Sequence, residues 1–293
     1  MEYDEKKEFY YDYFISKGYK YVSNGYMHNI FEKDNRIIKI AKAPFMKFNS
    51  KKNYLLEKKC LNILKNNGYV TPEIFKIGQL KIGNKKIYYL EEEKINGEIK
   101  SYSEMNETEK DNIFKLYNDV AKIKGKKYGA ISLKEDGKYN TWHDYLKELF
   151  RRSRFVIKKF NLNIQFEEIE KDILSKIDEE IECSLLILDP NENNFFLKDN
   201  KVSCIIDIDH PIYGDRLYQF ALFKYFRNDY YLYLIKKGLI TKQESEIIDL
   251  YTIVFSLSDV YFALGAEENY MENIDYYIDR VMRTYNEFKG GKR

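Results

Sequence analysis

Leu185-Leu-Ile-Leu-Asp189-Pro-Asn-Glu-Asn-Asn194-Phe-Phe-Leu197, then Lys198-Asp-Asn-Lys201, then Val202-Ser-Cys-Ile-Ile-Asp207-Ile-Asp209, closing in Gly214-Asp215-Arg-Leu-Tyr-Gln-Phe220, is the stretch around which this chain is organised. Two short apolar runs flank a polar turn, which reads as a β-hairpin. Asp189 and Asn194 bracket a tight loop ahead of the first strand, and Asp207 with Asp209 close the second. Asp, Pro and Asn all supply turn geometry, so each piece alone is compatible with an ordinary turn into a strand. The ordered combination of acid, amide and acid over one hairpin is far more specific.

Such a trio suits phosphoryl transfer from a nucleotide. That reaction asks a protein mainly for a base to orient a hydroxyl and for oxygen ligands that hold magnesium on the phosphates. Asp189 is the candidate base, and Asn194 and Asp207 are the candidate metal ligands. The spacing Asp-x4-Asn followed by Ile-Ile-Asp resembles the catalytic and metal-binding segments of the aminoglycoside phosphotransferase and choline kinase family, relatives of the protein kinases. Gly214-Asp215-Arg-Leu-Tyr-Gln-Phe-Ala221 resembles the Gly-Asp-Pro-x-Tyr-Asp-Leu-Ala run of the same family. The resemblance implies an α+β, two-lobed kinase-like fold, with a nucleotide-binding lobe over residues 1–95 and a catalytic and acceptor-binding lobe over residues 96–293. It also implies Mg2+ and ATP or GTP as co-substrate.

Upstream, residues 1–18 read as a helix, and extended pieces follow at 19–22, 29–32 and 36–41, the last two joined at Lys33-Asp34-Asn35. Gly25, between the first two, is where a backbone can approach phosphate closely. Lys39 stands in Ile37-Ile38-Lys39-Ile40, and a charge among isoleucines needs a partner. The next segment, 53–64, has helical periodicity, with Glu57 on the same face as Cys60, Leu61 and Leu64, so this carboxylate points inward. Lys39 and Glu57 resemble the strand lysine and helix glutamate that position nucleotide phosphates in kinase-like folds. Two further strands, 74–80 and 86–91, complete an expected five-stranded antiparallel sheet. The segment that follows, including Glu93 and Ile95, matches the family's hinge, whose backbone reads the purine edge.

After Gly97 everything except the central hairpin reads as helical: 107–124, 144–160, 165–182, 216–237, 241–265 and 267–289. Trp142, the single tryptophan, reads as core packing. Two departures from the family pattern stand out. Ile187-Leu188 replaces the usual His-Gly before Asp189, and Gln219 replaces the aspartate of the Gly-Asp-Pro-x-Tyr-Asp run.

Composition narrows the alternatives. The chain has 293 residues, 44% hydrophobic and 33% charged, so a sizeable core is available. Its net charge of +2 argues against a nucleic-acid binder held by a basic surface. Cys60, Cys183 and Cys204 are widely spaced and read as reduced residues of a cytoplasmic protein. The charged N-terminus and the absence of an apolar run near span length argue against a signal peptide or a membrane partner. The three histidines lack metal-ligand spacing. A monomer or weak dimer is expected.

The acceptor is the least constrained part. Asp259, Glu267, Glu268, Glu272, Asp275 and Asp279 fall in one stretch without lysine or arginine, and such a field would draw a cationic acceptor. The family's distal helices wall the acceptor pocket, so Glu267, Glu268 and Glu272, with Asp209, are the candidate acceptor-binding residues for an aminoglycoside-type antibiotic. A metabolite kinase of choline, ethanolamine or sugar type, and a nucleotide-binding regulator without turnover, are the alternatives.

Overall fold

Five strands build the N-terminal sheet: β1 (Lys20–Asn24), β2 (His28–Lys33), β3 (Arg36–Ala41), β4 (Ile74–Ile82) and β5 (Lys85–Glu93). They are antiparallel, in the order β1-β2-β3-β5-β4. The computed structural model describes residues 9–24, 27–42, 46, 49–208, 211–266 and 274–290. It has two compact units, one of Met1–Asn112 with Glu192–His210, the other of Ile113–Asn191 with Pro211–Arg293.

In the first unit the two-residue period sorts side chains onto two faces. Phe31, Ile38, Ile40, Leu80, Ile87 and Tyr89 cover one, where Tyr10 and Phe14 of the α1 region pack onto them (α1, Tyr11–Ser16). Asn29, fully buried on this face, donates to Tyr10 Oη at 2.8 Å, which donates onward to the Ala41 carbonyl at 3.1 Å. Expected over 1–18, this helix spans 11–16 among the described residues. Cross-strand register puts Ile30, Ile37, Lys39, Leu90 and Glu92 on the opposite face.

Helix α2 (Lys51–Asn66) starts at Ser50, whose hydroxyl accepts the Asn53 N–H at 3.2 Å, a standard way of satisfying a free helix-terminal donor. Its buried stripe is Tyr54, Glu57, Cys60, Leu61 and Leu64, the i, i+3, i+4, i+7 face on which Glu57 was expected.

The hairpin of the opening stretch, β8 (Phe195–Lys198) with β9 (Lys201–Ile205), belongs to this unit too. Asp199 and Asn200 turn it with φ of 52° and 62°, the left-handed pair that matches strand twist and that Asp and Asn tolerate best among side-chain-bearing residues. Backbone hydrogen bonds anchor it: Leu197 N–H to the Glu98 carbonyl at 2.8 Å, Glu98 N–H back at 3.0 Å, and Ile205 N–H to the Val70 carbonyl at 3.1 Å.

The second unit is mainly helical, with the second half of α3 (Glu107–Val120), then α4 (Trp142–Lys159), α5 (Phe166–Leu174), α6 (Arg216–Phe226), α7 (Asn228–Lys236), α8 (Lys242–Ala266) and α9 (Ile274–Gly290). Three differences from the sequence expectation appear. The helix expected over 165–182 ends at Leu174, and the acidic run that follows would face the negative end of a longer helix. The helix expected over 216–237 breaks at Arg227, ahead of Asn228 and Asp229, whose side chains favour turns and helix starts. A small sheet was not anticipated at all: β6 (Gly129–Ala130), β10 (Ile212–Gly214) and β7 (Ser184–Leu186), each too short for its period to be read.

Contrary to the expectation that no apolar run nears span length, an 18-residue window within residues 242–264 of α8 has a mean hydropathy of 1.6. That window is 61% buried, and α8 packs on α4, α6 and α9, as the core helix of a helical bundle does.

Trp142 is fully buried, as core packing requires, and its Nε1–H donates to Tyr251 Oη at 2.8 Å. Tyr251 donates in turn to Asp215 Oδ2 at 2.6 Å, while Asp215 Oδ1 caps α6 by accepting the Leu217 N–H at 2.9 Å. Gly214 lies so close that a Cβ there would stand 2.4 Å from the Trp142 ring. Gly214→Ala should therefore overpack this corner and destabilise the protein by about 1–3 kcal/mol. A lowered urea midpoint checks this, and an unchanged midpoint would show that the ring gives way freely.

Candidate active site

On the face of the sheet opposite α1, Lys39 of β3 is 4% exposed, as is Glu57 of α2. Lys39 Nζ donates to Glu57 Oε1 at 2.8 Å and also pairs with Asp207 Oδ1. Burying a lysine costs several kcal/mol unless opposite charge and hydrogen bonds accompany it, and here two carboxylates do. Asp207 follows β9 by two residues with a φ of 54°, a left-handed conformation unusual outside glycine, such as is held where the surroundings demand it. Burial works against ionisation of Asp207, but the charge of Lys39 and its hydrogen bond outweigh it, so the carboxyl stays below its ordinary range. His28, on β2, is pushed down to about 3, first by burial and then by the Lys39 charge, and is neutral.

Asn194 ends a 3-10 turn, Glu192–Asn194, and is 4% exposed. Its carbonyl accepts the Ile206 N–H at 3.0 Å, which fixes it beside the segment that delivers Asp207. Lys39, Glu57, Asn194 and Asp207 thus lie in one unit. Among the described residues, no three His, Cys, Asp or Glu side chains gather as a metal cage. An oxygen set of one amide and one ionised carboxylate fits magnesium instead, which keeps few protein ligands and completes its shell with phosphate and water.

Beyond β5 the backbone is tied down and then released. Glu93 N–H donates to the Glu73 carbonyl at 2.9 Å, Lys94 N–H donates to the Asn35 carbonyl at 3.1 Å, and the Glu93 carboxylate accepts the Glu73 N–H at 3.3 Å. The Ile95 N–H makes no hydrogen bond among the described residues.

In the second unit Asp189 follows β7 and is half-buried. Its Oδ1 accepts the Asn191 N–H at 3.0 Å, and its carbonyl accepts the Tyr117 hydroxyl at 2.8 Å. Gln219 braces the same turn: its Oε1 accepts the Ile187 N–H at 3.3 Å and its Nε2 donates to the Tyr117 carbonyl at 3.2 Å. Ile187 itself is 2% exposed. In the sequence Gln219 stands as a departure from the family pattern and Tyr117 as one position of the helix over 107–124, and both turn out to hold the Asp189 loop.

Gly25, Asp209, Glu267, Glu268 and Glu272 lie outside the described residues. Of the rest of the acidic stretch, Asp275 and Asp279 are exposed on α9. Asp259 is engaged within the helices, accepting from the Tyr225 hydroxyl, and burial raises its carboxyl.

No protein-family model and no curated protein matches the sequence. Solved structures do. Aminoglycoside phosphotransferase APH(4)-Ia, as a thermostable mutant in ternary complex with ADP and hygromycin B, superposes with a TM-score of 0.72 at 12% identity, covering 94% of this chain and 98% of its own. ADP-bound APH(2'')-Ib gives 0.65 at 15% identity over 96% and 99%. A chain assigned as a fructosamine-3-kinase from Haemophilus somnus 129PT gives 0.59 at 17% over 90% of each.

The chain has the protein-kinase-like fold of the aminoglycoside phosphotransferases. That fold spans nearly all of it, so both the five-stranded sheet with the Lys39 cluster and the helical unit with the Asp189 loop are parts of one known architecture.

One residue on the Lys39 face of this phosphotransferase-like sheet was passed over in the sequence. Glu92 of β5 is buried, and its Oε2 has no hydrogen-bond partner among the described residues. The signal was the run Glu91-Glu92-Glu93, in which strand alternation sends the middle carboxylate to the other face from its neighbours. Burial pushes Glu92 up to about 7, opposed by Lys39 and reinforced by Asp207; the Cys204 thiol also lies within its field.

Folding thus raises this carboxyl above its ordinary 4.5, so the folded state binds the proton more tightly. Its contribution to stability is complete below pH 4.5 and is lost as the pH rises through about 7. Glu92→Gln should remove that slope and stabilise the protein at pH 8 by up to the order of 3 kcal/mol, with little gain at pH 5. Denaturation at the two pH values checks it; equal gains at both would contradict the burial of a titrating carboxyl.

Proposed function

We propose that this chain is a phosphotransferase that moves the γ-phosphoryl group of ATP or GTP to a hydroxyl of a small cationic acceptor of aminoglycoside type. The observation that carries the reading is the buried Lys39, held by Glu57 and Asp207 on one sheet face of a kinase-like fold. A cation so fixed is suited to nucleotide phosphates, since its position costs no reorganisation when the phosphate arrives.

In this reading the acceptor oxygen attacks the γ-phosphorus, its proton passes to the Asp189 carboxylate, and the bond to the β–γ bridging oxygen breaks to release the nucleoside diphosphate. Asn194 and Asp207 would hold magnesium, which when bound neutralises phosphate charge. Tyr117 and Gln219 keep the Asp189 turn in shape. The N–H of Ile95, without a hydrogen bond among the described residues, is available to the purine edge. In the fold's solved relatives, the nucleotide and the aminoglycoside appear in the same complexes, with hygromycin B in one and streptomycin with ATP in another. Exposed Asp275 and Asp279 add a negative field of the sign a polycation needs. The likeness to a fructosamine kinase favours a second reading, a kinase of amine-bearing sugars.

Incubation with aminoglycosides and amino-sugar derivatives, with coupled detection of ADP and GDP, tests both. Turnover of an antibiotic supports the first reading, turnover of sugar amines alone supports the second, and nucleotide binding without turnover would overturn both in favour of a regulator. Asp189→Asn should lower kcat by roughly 10²–10⁴ while leaving nucleotide affinity within a few fold; near-normal turnover would remove Asp189 from the role. Affinity for a cationic acceptor should fall as salt is raised, because screening shortens the reach of the acidic field. Titration at two ionic strengths reads this directly, and salt-independent affinity would count against the charge argument.

A further inference from the structure

We propose that Glu92 selects the nucleobase, and that it selects guanine. The inference rests on the nucleotide reading above and adds to it the side chain that reads the base. Glu92 stands directly across from Ile37 in the β3–β5 register, and Lys39 pairs with Leu90 two residues along. Ile37, Lys39, Leu90 and Glu92 therefore share a face. Residues two apart on a strand are separated by about 7 Å, so Glu92 lies one step along the strand from the cation that suits the phosphates. Glu57 and Asp207 are each paired with Lys39, whereas Glu92 has no ion pair among the described residues, and an uncompensated carboxylate repels phosphate, so the end of the nucleotide that meets Glu92 is the base.

The surroundings fit a flat ring. Ile30 and Ile37, half-buried on this face, offer an apolar floor beside the carboxyl. Three residues beyond Glu92 stands the Ile95 N–H, without a hydrogen bond among the described residues. Between them the site presents one acceptor group and one donor.

The carboxyl itself is the deciding feature. A buried polar atom without a partner carries a cost that a ligand donor can remove. Glu92 Oε2 is such an atom, in a residue that is 8% exposed. Guanine has two adjacent donors on its Watson–Crick edge, N1–H and the 2-amino group, spaced for the two oxygens of one carboxylate. Adenine has a single amino group next to a ring acceptor, N1, which an ionised carboxylate repels. Burial raises this carboxyl to about 7 against the pull of Lys39, so the ionised form that guanine needs prevails above that pH, at the pH 8 of the test.

The test compares GDP, inosine diphosphate and ADP, each with magnesium, by calorimetry on the full chain at pH 8. Inosine diphosphate keeps N1–H and lacks only the 2-amino group. Wild type should bind GDP at least about tenfold more tightly than inosine diphosphate, and ADP more weakly than either, since one charge-assisted hydrogen bond is worth that much. In Glu92→Gln the GDP advantage over inosine diphosphate should collapse to within about twofold, with ADP affinity no weaker than in wild type. Equal affinity of wild type for GDP and inosine diphosphate would overturn the proposal without need of any variant. So would tighter binding of ADP than of GDP, or an unchanged ratio in a folded Glu92→Gln protein. Loss of all nucleotide binding in wild type would instead overturn the phosphotransferase reading and this inference with it.

Discussion

The buried ammonium of Lys39 is the constraint on which the first unit depends. A charge this far from water is tolerated only with opposite charge at hydrogen-bonding distance, and its two partners come from sequence positions 18 and 168 residues away. Helix α2 must lie on the sheet in the orientation that aims Glu57 inward, and β9 must end where Asp207 can reach. Three elements are thereby brought to one point on one sheet face. The opposite face is a plain aromatic and aliphatic core, which supplies burial without demanding such geometry.

The same constraint explains why the Glu92 carboxyl is raised. Lys39 already serves two carboxylates, and a third, itself buried, gains too little from the shared cation to offset its lost hydration. Glu91, on the other face, finds Arg36 at 2.6 Å instead. One residue of strand phase separates a buried acid paired with Arg36 from a buried acid whose Oε2 has no partner among the described residues.

In the second unit hydrogen bonds take the place of the motif residues that are absent. Gln219, replacing an acid of the related pattern, uses both ends of its amide, one on the Ile187 N–H and one on the Tyr117 carbonyl. An amide can do this because it donates and accepts at once, where a carboxylate only accepts. Ile187 fills apolar space, and the Asp189 turn is supported by Gln219 and the Tyr117 hydroxyl. The Trp142–Tyr251–Asp215 chain then fixes the start of α6, the helix that carries Gln219.

Read alone, the amino-acid sequence determined whatever local physics controls. The five strands were legible from their period and turns, and the β8–β9 hairpin from a turn whose Asp199 and Asn200 accept positive φ. The Lys39–Glu57 pair was legible because a lysine among isoleucines and a glutamate on an apolar helix stripe each require a partner, and few candidates existed. Only the tertiary structure decided the remainder. The three-stranded sheet joins segments from residues 129, 184 and 212, each two or three residues long, and such pieces have no period of their own. Gln219 and Tyr117 act through partners 32, 72 and 102 residues away, so nothing beside them in the chain announces their roles. The isolation of Glu92 depends on how many carboxylates already share one cation, and that count exists only once strands and helix have met.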